Sequence, residues 1–238
     1  RDPLWSRGLG DVYKRQDEAT VEEVVEEEPA ETLDAPATTA APAEPEEDPA
    51  SICLVLDIGG LGDLAFNDLA YSGYERAVAD FGMEGTFLEP DGGGENRGEL
   101  LELCAEAGND LIVGNGFLFD ASMNEVAPNY PDINFAITDG VAEPSNVRGM
   151  LFKHAEGSYL AGIAAALKTK TNNVGFIGGV DFPLIHEFEQ GFLAGVAEIN
   201  PDIVVQIGYA SVPPDFSGFN DPVKGKEIAL AQYEAGAD

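Results

Sequence analysis

The sequence predicts an α/β fold with a mainly parallel sheet from residue 51 onward. The first observation is a series of short apolar runs, at residues 52–56, 85–88, 111–113, 133–137, 174–177 and 203–207. The second is a series of helical patterns that follow them, at residues 67–81, 98–107, 122–129, 158–167, 184–199 and 226–235. Short runs that are apolar on both faces are typical of parallel strands covered by helices. Regular alternation of strand and helix favours a parallel over an antiparallel sheet.

The residues before position 51 have a different composition. Residues 1–16 hold four of the twelve basic residues and the only tryptophan, and we expect them to be a non-native lead. Residues 17–50 contain 13 acidic residues, no basic ones and almost no large apolar side chains. Such a segment cannot bury enough apolar surface to offset the entropy of ordering, so we expect a disordered acidic linker.

The charge of the chain limits its partners. Its 44 acidic and 12 basic residues give a net charge of −32. This field repels phosphates, which argues against nucleic acids, anionic lipid surfaces and free nucleotides. No apolar stretch reaches the length of about 18 residues expected of a membrane-spanning helix. Cys53 and Cys104 match no metal-binding or redox spacing, and we expect two small buried residues.

Polar and aromatic side chains follow several predicted strands directly. They lie at Asp57, residues 114–117, Asp139 and residues 178–182. Ligands of open α/β sheets bind outside the carboxyl ends of the strands. We therefore expect these residues to converge on one crevice.

The first strand leads into the stretch DIGGLGDLAFNDLAYSGYERA, at residues 57–77. Its glycines come close to the dinucleotide fingerprint G-x-G-x-x-G, with alanine in the last place. Asp63 argues against that interpretation, because it stands where a helix N-terminus would meet a pyrophosphate, and we predict that it caps the helix instead. Phe66 is either a core residue or a stacking face for a planar base. Asn67 has a donor and an acceptor for a base edge.

The same stretch resembles the signature of the basic membrane protein family, which includes purine-nucleoside receptor lipoproteins. The family pattern is approximately D-x-G-G-x-x-D-x-S-F-N-x-x-A-x-x-G. This chain matches it at Asp57, Gly59, Gly60, Asp63, Phe66, Asn67, Ala70 and Gly73, and departs from it at Leu64 and Ala65. Further similar segments follow in order, at residues 135–139, 152–162, 174–179, 183–195, 219–221, 225–226 and 236–238.

The resemblance implies a type I periplasmic binding protein fold, with two doubly wound parallel-sheet lobes and a ligand in the cleft between them. Residues 51–152 would form the N-terminal ligand-binding lobe, and residues 153–238 would form part of the second lobe, which we expect to be incomplete. By motif, Phe66 would stack on a purine. Asn67 and Asp57 would hydrogen-bond its edge, and Asp139 would accept from the ribose hydroxyls.

Other roles remain open for three of these residues. Asp57 and Asp139 could each only close a turn, and Phe182 either walls the cleft from the second lobe or packs beneath it. His154 is expected to make a contact at the start of a helix. We expect no catalytic residue, metal or cofactor.

The function implied by the resemblance is that of a solute-binding component of an ABC-type import system for a purine nucleoside. Its partner would be a membrane permease. It would act outside the cytoplasm and be held at the membrane only by an N-terminal anchor that is not present in this chain. Two alternatives stay open: a ligand-sensing receptor or regulator of the same fold, and a nucleotide-dependent α/β enzyme.

Overall fold

The computed structural model describes residues 48–238. The predictions for residues 1–16 and for the linker up to residue 47 lie outside this range. The strands are β1 (Ser51–Val55), β2 (Glu84–Leu88), β3 (Leu111–Gly114), β4 (Asn134–Thr138), β5 (Val147–Met150), β6 (Asn173–Val180) and β7 (Val204–Ser211). The helices are α1 (Phe66–Phe81), α2 (Arg97–Glu106), α3 (Asp120–Val126), α4 (His154–Lys168), α5 (Pro183–Ile199) and α6 (Pro222–Glu234).

The first sheet has five strands in the order β2-β1-β3-β4-β5, and every pair is parallel. The predicted α/β architecture is therefore confirmed. The chain moves from β1 to β2 on one side and then crosses to β3 on the other side of β1. The strand order thus reverses between β1 and β3, which is where α/β sheets form a binding crevice at their carboxyl ends.

The main core lies where α2 and α3 cover one face of this sheet. It contains fully buried side chains such as Leu101, Ile112, Phe119 and Met123.

Cys53 of β1 and Cys104 of α2 are also buried in this core, and they form a disulfide with their Cα atoms 5.9 Å apart. The expectation of two small buried residues is thus right about burial, but it missed the bond. A separation of 51 residues has no recognisable spacing, and only the packing of α2 on β1 brings the two sulfurs together.

Strand β5 was not predicted from the sequence. Its four residues, Val147, Arg148, Gly149 and Met150, lack an apolar run, because they form an edge strand that is only partly buried. The loop at residues 151–153 then separates β5 from α4, and the predicted lobe boundary falls within it.

The second sheet consists of β6 and β7, which pair in parallel. Helices α4 and α5 pack against each other through glycines. A Cβ atom added at Gly195 would lie 2.0 Å from the carbonyl oxygen of Tyr159, so only glycine allows this close approach. On α6, the buried Gln232 donates to the carbonyls of Phe176 and Gln206, which attaches the helix to both strands.

Within residues 48–238, no helix combines the length and the apolar character needed to cross a bilayer.

Candidate functional site

A cavity of about 300 Å³ opens at the carboxyl ends of β1, β3 and β4. One wall comes from the first sheet and its loops, and the other comes from the start of α5 and a short 3₁₀ helix at Ser217–Asn220. The lining residues are Asp57, Ile58, Asp63, Ala65, Phe66, Asn67, Gly116, Phe117, Asp139, Leu184, Ile185, Phe188 and Phe219. Four of the five predicted site residues are therefore brought together here: Asp57, Phe66, Asn67 and Asp139.

Asp57 follows β1 and is 7% exposed. Its Oδ1 atom accepts from the backbone N–H of Ile58 at 2.8 Å and from Nε and Nη2 of Arg97 at 3.0 and 2.5 Å. The pKa of Asp57 is raised overall, because the effect of burial exceeds the opposing effects of the charge and hydrogen bonds of Arg97 and of the bond from the N–H of Ile58. Arg97 is a residue of the site that the sequence interpretation missed, because nothing in the local pattern shows which acid it meets.

Asn67 is almost fully buried, at 1% exposure. Its Oδ1 atom accepts from the backbone N–H of Asp57 and from Nδ2 of Asn115, and its own Nδ2 donates to the carbonyl of Ile58. The carboxamide thus holds the end of β1 and the loop that follows it. One N–H of Nδ2 remains for another partner, so the expected contact with a base edge is reduced to a single donor.

Carboxylates of the protein itself hold the loop between β1 and α1. Asp63 accepts from the backbone N–H groups of Ala65, Asn67 and Asp68. It therefore caps the first turn of α1 as predicted, although it lies two residues before Ala65, which occupies the N-cap position. These bonds together outweigh the effect of burial and lower the pKa of Asp63.

Two more acids complete this arrangement. Asp68 accepts from the N–H groups of Gly62 and Leu64, and Glu89 accepts from that of Leu61. The backbone donors that would form a phosphate site in a dinucleotide-binding loop are therefore already bonded to anions.

Phe66 is the first residue of α1 and remains 40% exposed. It is not a core residue, and its ring forms part of the cavity wall beside Gly116. A Cβ atom added at Gly116 would lie 3.4 Å from Cε1 of Phe66 and 2.6 Å from Oδ2 of Asp57. Glycine at this position, whose φ angle is +125°, therefore leaves both groups accessible.

Asp139 follows β4 in a left-handed backbone conformation, with φ at +58°. Nε2 of His154, at the start of α4, lies 3.1 Å from Oδ1 of Asp139. This contact is not an aligned hydrogen bond, and in the described part of the chain Oδ1 of Asp139 has no hydrogen-bond donor. Burial raises the pKa of Asp139, His154 opposes that shift, and Glu187 adds to it.

Residues 51–238 match a family described as ABC transporter substrate-binding protein PnrA-like, abbreviated Bmp. This chain belongs to the Bmp family. Members of this family are described as substrate-binding proteins of ABC transporters.

Two curated relatives illustrate the match. The ABC transporter nucleoside-binding protein BmpA of Lactococcus lactis is 35% identical over 190 residues, covering 78% of this chain and 52% of the relative. The CD4+ T-cell-stimulating antigen of Listeria monocytogenes is 36% identical over 194 residues, covering 79% and 52%. The chain thus spans about half the length of these Bmp relatives.

A solved structure supports the fold. The solute-binding protein of an ABC transporter system from Aeropyrum pernix K1 is 31% identical, with a TM-score of 0.70, covering 79% of this chain and 53% of that one. The predicted periplasmic binding protein fold is confirmed, with five strands in the first sheet and two in the second within residues 48–238.

Phe182 differs from the other predicted site residues of this Bmp protein. It precedes α5 and does not line the cavity, and the two glycines before it, Gly178 and Gly179, lie inside β6 and not in a turn. Its ring stacks on that of Phe117 with centroids 4.8 Å apart and planes 15° apart. A contact between Phe182 and a ligand stays a prediction, whereas Phe117, one of the residues 114–117 expected at the crevice, lines the cavity.

Proposed function

We propose that this chain is the solute-binding part of an ABC import system and that its cavity binds a purine nucleoside between the two sheets. The observation that carries this proposal is the exposed ring of Phe66 beside the carboxylates of Asp57 and Asp139 in one cavity. A small apolar pocket with a few convergent polar groups is the usual form of a small-molecule site.

The chemistry of these side chains fits the parts of a nucleoside. The face of Phe66 suits a planar base, and stacking of this kind contributes about 1–3 kcal/mol. Oδ2 of Asp57 can accept from a donor on the base edge, and the remaining N–H of Asn67 can donate to an acceptor on that edge. Asp139 can accept from ribose hydroxyls in charge-assisted bonds of about 1.5–3 kcal/mol each.

The same cavity is unsuited to a phosphorylated ligand. Asp63 lines the wall and already holds the N-terminus of α1, so a phosphate would meet a carboxylate where it needs free N–H groups. The net charge of −32 acts in the same direction at longer range. A neutral nucleoside is therefore favoured over a nucleotide.

A permease in the membrane is the partner that this function requires. Closure of two lobes on the ligand would be the change that the permease recognises. The function also requires a location outside the cytoplasm, and two relatives from Pyrococcus species are named as lipoproteins. The Cys53–Cys104 disulfide supports this placement, because such bonds persist mainly in oxidising compartments.

Titration calorimetry with adenosine, inosine, guanosine and guanosine monophosphate tests the proposal on the protein that contains this chain. We expect saturable binding of at least one nucleoside and none of the monophosphate. Phe66→Ala should weaken nucleoside binding at least about tenfold, because the stacking face is lost. Leu69→Ala is the matched control, since Leu69 lies on the same helix, is 73% exposed and does not line the cavity. A heat of binding on titration with a sugar or a flavin, together with none for any nucleoside, would contradict the proposed ligand.

A further inference from the structure

The Arg97 side chain lies behind Asp57 and not in the cavity itself. Both side chains are about nine-tenths buried, at 11% and 10% exposure. Besides its two bonds to Oδ1 of Asp57, the guanidinium donates from Nη1 to the carbonyl of Gly94 at 2.6 Å. It also lies 5.6 Å from the ring centroid of Phe119. Arg97 is therefore held from three sides, by a carboxylate, a carbonyl and an aromatic ring.

The two oxygens of Asp57 have different surroundings. Every hydrogen bond that the described residues make to this carboxylate ends on Oδ1. Oδ2 has no donor within residues 48–238, and it lies against the bare Cα of Gly116, where a side chain would sit 2.6 Å away. One oxygen is thus bonded to the protein, and the other is left at the cavity wall.

We propose that Arg97 is a positioning residue of the ligand site, which holds Oδ1 of Asp57 and directs Oδ2 to the ligand as an acceptor. The inference rests on the proposed function, because it concerns the same cavity. It also restricts the ligand, because the ligand group that faces Asp57 must be an N–H or O–H donor. With the remaining N–H of Asn67, the site then selects an edge that carries a donor next to an acceptor.

The electrostatic surroundings show why the cation is needed. Burial alone raises the pKa of Asp57, and Arg97 from α2 is the charged group that opposes it. Two other acids line the same cavity, Asp63 from the β1–α1 loop and Asp139 from the end of β4. Neither can offset the negative charge of Asp57, and His154 contacts Asp139. Without Arg97, Asp57 would therefore take up a proton at a higher pH and could no longer act only as an acceptor.

The test measures adenosine binding at about pH 6, 7 and 8, a range in which the base itself does not titrate. The wild type should have the same affinity throughout. Arg97→Met should bind at least about tenfold more weakly at pH 6 and should regain affinity toward pH 8, because loss of the cation raises the pKa of Asp57 further and favours the protonated carboxyl at the lower pH. Arg97→Lys keeps the charge and should keep the flat profile. Arg76→Met, at an exposed arginine of α1, is the control and should resemble the wild type.

Unchanged affinity of Arg97→Met, or a loss of equal size at every pH, would overturn the inference. If Arg97→Met does not fold, the double variant Arg97→Met with Asp57→Asn is measured instead. It removes both buried charges, so no unpaired charge is left to oppose folding. It should bind weakly and without pH dependence, and wild-type affinity in that variant would overturn the inference. A wild-type protein that binds no nucleoside would instead refute the proposed function.

Discussion

At the scale of single residues, Asp139 combines a strained backbone with a poorly solvated carboxylate. Its left-handed φ angle of +58° is one that aspartate and asparagine tolerate better than most residues. Its side chain is 11% exposed, and within residues 48–238 the one basic side chain at salt-bridge distance from its carboxylate is that of His154. Groups that are arranged for a ligand are often unfavourable for folding, and this carboxylate has that character.

Asp139→Asn should therefore stabilise the unliganded protein at pH 7 while it weakens adenosine binding. Because the pKa of Asp139 is raised by burial, the folded chain holds this proton more tightly than the unfolded chain, and ionisation at neutral pH opposes folding. We expect the melting temperature to rise by roughly 2 °C or more at pH 7. The gain should shrink as the pH falls toward the raised pKa, where the wild-type carboxyl is neutral too. Circular dichroism melts at several pH values measure this.

Asp110→Asn is the matched comparison, with the opposite sign. Hydrogen bonds from the backbone and side chain of Ser51 lower the pKa of Asp110. This variant should lose stability at pH 7, and the loss should disappear as the pH falls through the lowered pKa. A melting temperature that falls at pH 7 in both variants would contradict the sign given for Asp139.

At the scale of elements, the β1–α1 loop brings the site residues to the cavity. Four of its seven successive residues from Gly59 to Ala65 have positive φ angles, so few direct backbone bonds can hold it. Instead, Asp63, Asp68 and Glu89 bond its N–H groups. The departure from the family pattern at Ala65 thus leaves the loop held by neighbouring acids.

Asp63→Ala should lower the free energy of unfolding by about 0.5–2 kcal/mol, the usual effect of losing a helix cap. The loss should be complete at pH 7 and should diminish as the pH falls through the lowered pKa of Asp63, because protonation removes the same acceptor from the wild type. Urea denaturation measures it. Asp80→Ala, in the last turn of the same helix, is the control and should be neutral or slightly stabilising, since an acid there opposes the helix dipole. Equal losses in the two variants would rule out a capping role.

At the scale of the whole molecule, aromatic rings connect the halves that carry the two sheets. Phe117 follows β3 of the first sheet, and Phe182 precedes α5 beside the second. Phe216 and Phe219 contact this pair edge to face. The cluster closes one side of the cavity, so the ligand site and the contact between the halves share residues.

A double-mutant cycle on Phe117→Ala and Phe182→Ala should give a coupling of about 0.5–1.5 kcal/mol, the value of a stacked aromatic pair beyond its buried area. The measurement is the free energy of unfolding of the four proteins. A second cycle with Phe81→Ala in place of Phe117→Ala is the control, because Phe81 is 79% exposed at the far end of α1. Strictly additive effects in the first cycle would mean that the stacked pair does not join the halves.

The sequence by itself determined the architecture and the location of the site. The alternation of strands and helices can be predicted because the apolar residues of each segment follow the spacing of a strand or of a helix. Parallel strands then bring their carboxyl ends to one edge of the sheet. Asp57, Phe66 and Asp139 therefore meet without any knowledge of distant contacts.

The tertiary structure alone decided which distant residues these side chains contact. Arg97 is 40 residues from the acid that it binds, and Cys104 is 51 residues from Cys53. Both pairings depend on how α2 packs on β1, which no local pattern encodes. Asn67 has the donor and the acceptor expected of a residue that binds a base edge, and its burial also brings backbone groups to its carboxamide, so that it holds the β1–α1 loop as well.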